Sequence, residues 1–248
     1  MPQPLNPAMY LRGWRISMNR LRSTLITAIG CLAISLLATG CGTAGYIASA
    51  MPAPDVDPQY KGLAGHSVGV MVWADRGIRT DWGSKLQVDL ASSVQQAIQI
   101  KQTAKKKPPE ELKGVTWPVE AASIVKYQLA NPKIETMPLE TVAPHLGVER
   151  LIYVEIGEFS TRSSQSVELY RGSASISIRL IEISGAGENR KAKMAFQEDN
   201  IRMVFPEKGP EEGTPNATDE SIYRGLVQEM AKQVSHRFVT WNEDEDKP

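Results

Sequence analysis

Residues 173–180 read Ser-Ala-Ser-Ile-Ser-Ile-Arg-Leu. Ala174, Ile176, Ile178 and Leu180 alternate with Ser173, Ser175, Ser177 and Arg179. A period of two with one apolar and one polar face is a strand buried on one side only. The neighbouring segments extend the pattern. Leu151-Ile152-Tyr153-Val154-Glu155-Ile156-Gly157 precedes it and reads as a strand with Ile152, Val154 and Ile156 on one face. Ser184-Gly185-Ala186-Gly187 turns the chain after it. Ala192, Met194 and Phe196, then Ile201, Met203 and Phe205, continue a further strand, with a bulge expected near Asp199-Asn200.

Outward from this strand region the period changes. Upstream, Ser67-Val68-Gly69-Val70-Met71-Val72-Trp73 is a short Val-rich run and reads as the first strand. Residues 74–83 read as a loop. Leu86, Leu90, Val94, Ala97 and Ile98 then fall at helical spacing, which predicts an amphipathic helix from Ser84 to about Lys101. A second helix is expected over Pro118 to Ala130, with Thr116 near its N-cap. A third, short one is expected from Pro138 to His145, ended by Gly147. Downstream, Thr218 or Asp219 caps a last helix whose stripe is Ile222, Leu226, Met230, Val234, Phe238 and Trp241. Helices segregated from antiparallel strands predict an α+β fold. The expected form is a single two-layer sandwich, a mostly antiparallel sheet of about four strands with helices mainly on one face.

The first 40 residues differ in kind. They carry Arg12, Arg15, Arg20 and Arg22 and no acidic residue, followed by an apolar run from Leu25 to Leu37. A basic region, a short apolar run and small residues at its end make an export signal. The run is shorter than the ~20 residues a spanning helix needs. An uncleaved membrane anchor is the competing reading. Leu37-Ala38-Thr39-Gly40-Cys41 resembles the bacterial lipobox, in which small residues precede an invariant cysteine. That resemblance implies cleavage before Cys41 and a diacylglycerol on its sulfur, so the membrane is the first expected partner. Ala28-Ile29-Gly30-Cys31 is a rival string, but it leaves a shorter apolar run before it and an orphan one behind. A start at Met18 would give a signal of ordinary length. Gly42 is not the Asp that retains lipoproteins in the inner membrane of enteric bacteria, so the outer membrane, facing the periplasm, is expected.

The domain plan is therefore a signal over 1–40, a flexible tether over 41–65, an α+β domain over 66–242 and an acidic tail over 243–248. The Pro-, Gly- and Ala-rich tether shows no apolar period. The whole chain holds 28 basic and 28 acidic residues. Taking four arginines away with the signal leaves 24 against 28, a mildly acidic protein that argues against nucleic acid. Of the 2 cysteines, Cys31 leaves with the signal and Cys41 is acylated, so no disulfide framework or thiol chemistry is expected.

The segment from Val142 to Val154, with Leu146-Gly147-Val148-Glu149 at its centre, is similar to the helix, Leu-Gly-acidic, strand step of the curli-secretion lipoprotein CsgG and the peptidoglycan-synthase activator LpoB. Arg179 to Gly185 and the last helix continue the likeness, over roughly residues 67–241. That group implies a periplasm-facing α/β sandwich that binds protein partners or self-assembles, without catalysis. Unlike the curli channel, the segment Ser160 to Gly172 is too polar and short for inserted strands of ~9–11 alternating residues, so no transmembrane barrel is expected.

The sequence carries no Gly-x-Ser-x-Gly elbow, P-loop or Gly-x-Gly-x-x-Gly. His66, His145 and His236 stand apart with no ligand spacing, so they read as structural or surface residues and no metal or cofactor is expected. Glu155 and Glu158 lie three apart on a strand and point to opposite faces, which unsuits them as an acid–base pair. Glu155 shares its face with Leu151 and Tyr153, a partly covered or contact face. The favoured site is the loop holding Asp75, Arg76, Arg79, Asp81 and Trp82, after the C-terminal end of the first strand. Carboxylates, guanidiniums and a Trp are common at protein interfaces. A solvated loop of local ion pairs is the plainer reading. Lys105–Lys107 reads as a solvated run, with a lipid-surface patch as the rival. The expected function is a non-enzymatic envelope lipoprotein acting as an assembly or accessory factor through an envelope protein partner or self-association. The alternative is a periplasmic small-molecule or glycan-binding module using the Trp82 loop or the polar face at Ser173, Ser175 and Ser177.

Overall fold

Seven residues, Val68–Ala74, form a strand buried almost throughout, and a sheet is built beside it. The structure is a computed structural model and describes residues 54–104, 108–165, 168–210 and 213–242. The expected export signal, Cys41, Lys105–Lys107 and the acidic tail lie outside the described residues. In chain order the elements are β1 (Asp55–Val56), β2 (Val68–Ala74), α1 (Arg76–Trp82), α2 (Lys85–Gln102), α3 (Ala121–Ala130) and α4 (Leu139–Val142). Then follow β3 (Arg150–Arg162), β4 (Tyr170–Ser184), β5 (Lys191–Phe205), α5 (Asp219–His236) and β6 (Trp241–Asn242). Short 3-10 turns lie at Glu110–Leu112, Pro132–Thr136, Ala143–Leu146 and Gly187–Asn189.

The main sheet has the order β2-β3-β4-β5 and is open, with β2 and β5 as its edges. β2 runs parallel to β3, from Val68 opposite Arg150 to Ala74 opposite Ile156. A parallel pair needs a long crossover, which the helices of residues 75–149 supply. β3, β4 and β5 form an antiparallel meander. The fold is the expected α+β arrangement with a four-stranded, mostly antiparallel sheet. Among the described residues no helix is long and apolar enough to cross a membrane.

The period-two pattern sorts the two faces of the sheet. Val70, Val72, Ile152, Val154, Ile176, Ile178 and Leu180 bury against Leu86, Leu90, Val94 and Ile98 of α2 and against Leu226, Met230 and Val234 of α5. At ~25 cal/mol per Å² of apolar surface, this layer is the main source of stability. The other face carries Met71, Leu151, Tyr153, Ile181 and Ile183. A smaller layer from α3 to the Ala143–Leu146 turn covers it through Ile124, Ile134, Val142 and Leu146.

Local signals hold where they were read. Thr218 is the N-cap of α5 and forms a capping box with Ser221, the hydroxyl of Thr218 accepting from the Ser221 amide at 3.2 Å. Gly147 ends its turn at φ +73°. The bulge lies at Asp199-Asn200: Ile176 faces Ile201 and Ile178 faces Glu198, so β5 carries one extra residue, and Asn200 takes φ 59°. α5 crosses the sheet closely because two glycines allow it. A Cβ on Gly172 would lie 2.5 Å from Ile222 and Leu226, and one on Gly225 would lie 2.1 Å from the Phe205 ring.

Besides the last helix, which ends at His236 and leaves Trp241 to β6, four boundaries move. Residues 76–82 form a helix rather than a loop. Asp75 accepts from the Arg76 amide at 2.6 Å, and Ile78 and Trp82, four apart, pack on the core. The second helix starts at Ala121, not Pro118; Thr116 instead bridges Ser67, and Gln95 Oε1 accepts from the Ala121 amide at 2.9 Å. β3 and β4 extend into the polar segment 160–172, with Ser160 opposite Ser173.

The fourth change is the tether. The compact unit starts at Asp55, so residues 55–65 belong to the domain. β1 pairs antiparallel with β6, Asp55 opposite Asn242 and Val56 opposite Trp241. Leu63 is 0% exposed in the main core. The Gly62 carbonyl accepts from Arg150 Nε at 3.1 Å, and the Tyr60 hydroxyl donates to Glu182 at 2.7 Å. Burial and that carboxylate push the Tyr60 phenol up to about 12.

Candidate functional site

The residues favoured from sequence do not share one surface. Trp82 turns inward, stacked on Tyr223 at 5.3 Å and edge-on to Phe159 at 5.3 Å. Asp75, Arg76 and Asp81 stay exposed. Arg79 turns the other way, pairs through both terminal nitrogens with the Glu135 carboxylate, and lies 6.0 Å from the Trp73 ring. A helix separates its faces in this way, whereas a loop would have let all five point to solvent.

Arg79 leads to a cleft of about 360 Å³ on the half-covered face of the sheet. Its floor is Met71 and Trp73 of β2, Tyr153 and Glu155 of β3 and Arg179 of β4; its walls come from Gln128 of α3, from residues 134–140 and from Met194. Strand register builds the floor: Met71 lies opposite Tyr153, and Tyr153 opposite Arg179. The shared face of Glu155 and Tyr153 is thus a partly covered one.

Most of the charged groups at the cleft pair with each other, the exposed Glu140 apart. Arg179 Nη1 donates to Glu155 at 3.1 Å, and its other terminal nitrogen lies 3.9 Å from Asp199. The same guanidinium lies 5.9 Å from the Tyr153 ring. Burial, reinforced by the Glu155 charge, holds the Tyr153 phenol protonated well above its ordinary value. It is not a base near neutral pH. The neutral polar groups are less well served. Gln128 is 2% exposed, and neither its amide oxygen nor its nitrogen has a partner. The buried indole Nε1 of Trp73 and Nε of Arg79 also lack one. Buried polar groups are ordinarily bonded, and each exception asks for an explanation.

The other sequence candidates lie apart. His66 Nε2 is 2.9 Å from Arg150 Nη2, His145 is exposed, and His236 stacks on Trp241 at 4.0 Å. Among the described residues no group of three or more His, Cys, Asp or Glu could hold a metal ion. Ser175 is buried, and Ser177 Oγ accepts from the Asn200 amide at 3.3 Å. None of the three serines lines the cleft. Sequence reasoning missed Trp73, Gln128 and Glu135. The available signal was a Trp ending a buried strand whose parallel partner carries Tyr153.

No family model matches the chain, and no curated protein matches it. Among solved structures it is similar to the hypothetical protein CT253 from Chlamydia trachomatis, at 18% identity and TM-score 0.37, covering 70% of this chain and 95% of that one. It is similar to Lipoprotein GNA1162 from Neisseria meningitidis, at 15% identity and TM-score 0.36, covering 68% and 97%. The PelC dodecamer from Paraburkholderia phytofirmans matches at 8% identity and TM-score 0.35, covering 76% and 99%. At such low identity and overlap, what those proteins are does not transfer to this chain.

Proposed function

We propose that this chain is a bacterial envelope lipoprotein of the same broad kind as the curli-secretion and peptidoglycan-synthase-activator group. It is anchored through Cys41 to the outer membrane and works by contact with a protein partner rather than by catalysis. The observation that carries the reading is Leu37-Ala38-Thr39-Gly40-Cys41 behind a basic and then apolar leader. The fold adds a distance. Because the domain begins at Asp55, residues 42–54 are all that separates it from the lipid. At ~3.3–3.6 Å per residue they reach at most about 47 Å. That reach keeps the domain close to the membrane surface.

The test is metabolic labelling with palmitate, with membrane fractionation of wild type and Cys41→Ser. The expected result is label on the wild type alone and release of the variant from the membrane. Unlabelled wild-type protein, or a variant that fractionates unchanged, would overturn the anchor.

A further inference from the structure

We propose that the cleft under α3 is a docking site for an extended, uncharged peptide segment of the partner, with Gln128 bonding the backbone and an apolar side chain filling the pocket. This rests on the reading above that the domain works through a protein partner. The carrying observation is Gln128 itself. It is 2% exposed, lines the cleft, and has both ends of its amide unpartnered. A side-chain amide offers donors and an acceptor side by side. In an extended chain the N–H and C=O of one residue point to the same side, so a single peptide residue offers the matching donor and acceptor to both ends at once. The Trp73 indole N–H, also unpartnered, supplies a further donor for a second carbonyl.

The charge pattern selects a neutral ligand. Arg79 is paired with Glu135, and Arg179 with Glu155. Neither guanidinium is free for a carboxylate or phosphate, and Glu135 and Glu155 are taken up by them; the third glutamate, Glu140, is exposed in the wall. Apart from Gln128 and the exposed Glu140 the rest of the lining is apolar and adaptable. Met71 lies in the floor and the exposed Met137 and Met194 sit at the opening, and Met is the side chain that best reshapes itself to a ligand. The cleft is at the lower end of the ~300–1,000 Å³ range of ligand sites, room for one or two residues. A glycan fits less well. Trp73 and Tyr153 each already carry a guanidinium near the ring, at 6.0 and 5.9 Å, which leaves less aromatic face for a sugar to stack on.

The test uses the full-length protein in detergent micelles, with nitrogen-15 in its tryptophans and the Trp73 indole signal assigned through Trp73→Phe. The probes are blocked tripeptides, N-acetyl-Ala-Xaa-Ala-amide, with Xaa as Leu, Met, Phe, Lys or Glu, and chitotriose as the sugar arm. The expected result is a saturable shift of the Trp73 indole with at least one of the Leu, Met and Phe peptides and little with Lys or Glu. Gln128→Leu, close to Gln in volume, should fold, melt at a higher temperature and lose that binding by at least about tenfold, one hydrogen-bonded pair's worth. No peptide response up to about 10 mM, weaker than specific binding, overturns the proposal. So does an equal response in folded Gln128→Leu, or a response to chitotriose alone. The readout is independent of the lipid, so a failed palmitate label leaves it standing and a failed titration leaves the anchor standing.

Discussion

Leu63→Ala is the sharpest test of where the folded unit begins. Leu63 sits in a stretch that reads as tether, yet it is 0% exposed among the main core residues. Truncating it to alanine removes the transfer free energy of the lost carbons and leaves a cavity. Buried Leu→Ala changes cost ~2–5 kcal/mol. The neighbouring backbone is held by Arg150 at Gly62 and by the Tyr60 amide donating to the Arg237 carbonyl at 3.0 Å, which limits collapse into the gap. A loss of about 3 kcal/mol is therefore expected. For a domain of this size that lowers Tm by roughly 6–12 °C. The assay is urea unfolding of the purified protein, with a lower midpoint and an unchanged slope. The control is Lys61→Ala, two positions away. Its ion pair with Asp57 is only 2.7 Å long, but both side chains are well exposed, so the change is expected to cost less than ~0.5 kcal/mol. If the two variants unfold alike, residues 55–65 are a tether after all.

Gly225→Ala places a methyl group 2.1 Å from the Phe205 ring and is expected to cost ~1–3 kcal/mol of stability by thermal unfolding, a cost that Phe205→Leu should partly relieve. The third outcome concerns acid. The Thr161 hydroxyl, at 2.6 Å from Asp219, and then the Arg162 guanidinium hold the Asp219 carboxyl below its ordinary value of 3.8. A depressed folded value means the contribution is present above pH about 4 and disappears as pH falls through the folded value. Asp219→Asn should flatten the acid limb of stability below pH about 4 and leave the neutral plateau's slope unchanged, measured by urea midpoints across pH.

What could be read from the sequence was local. The β4 alternation, the α2 and α5 stripes, the Thr218 cap, Gly147 and the Asn200 bulge each depend on residues a few positions apart, so a period or a residue type announces them. What escaped depends on distant partners. Leu63 is one apolar residue among Pro and Gly, and its burial is arranged by Arg150, Glu182 and Arg237. The Arg76–Trp82 helix has only Ile78 and Trp82 as anchors and a Gly inside it, too little for a periodic signal. The cleft needs the parallel register that sets Met71 opposite Tyr153 and a covering segment from residues 134–140. Arg79 is legible in part: its chemistry stands in the sequence, but only the helix decides that it faces Glu135 and Trp73 while Trp82 faces the core.

The β1–β6 pair sets Asp55 beside Asn242, so the chain enters and leaves the domain at one point. Such a domain behaves like an insert with a single stem. It can be cut from its leader and spliced into a loop of another protein, or its ends can be joined and new ones opened at Ser184-Gly185-Ala186, without stretching the sheet. The same geometry places any cargo fused after Asn242 beside Asp55, where the chain enters, rather than across the domain from it. The stem is thus a natural place to attach a second module without obstructing the faces the domain presents.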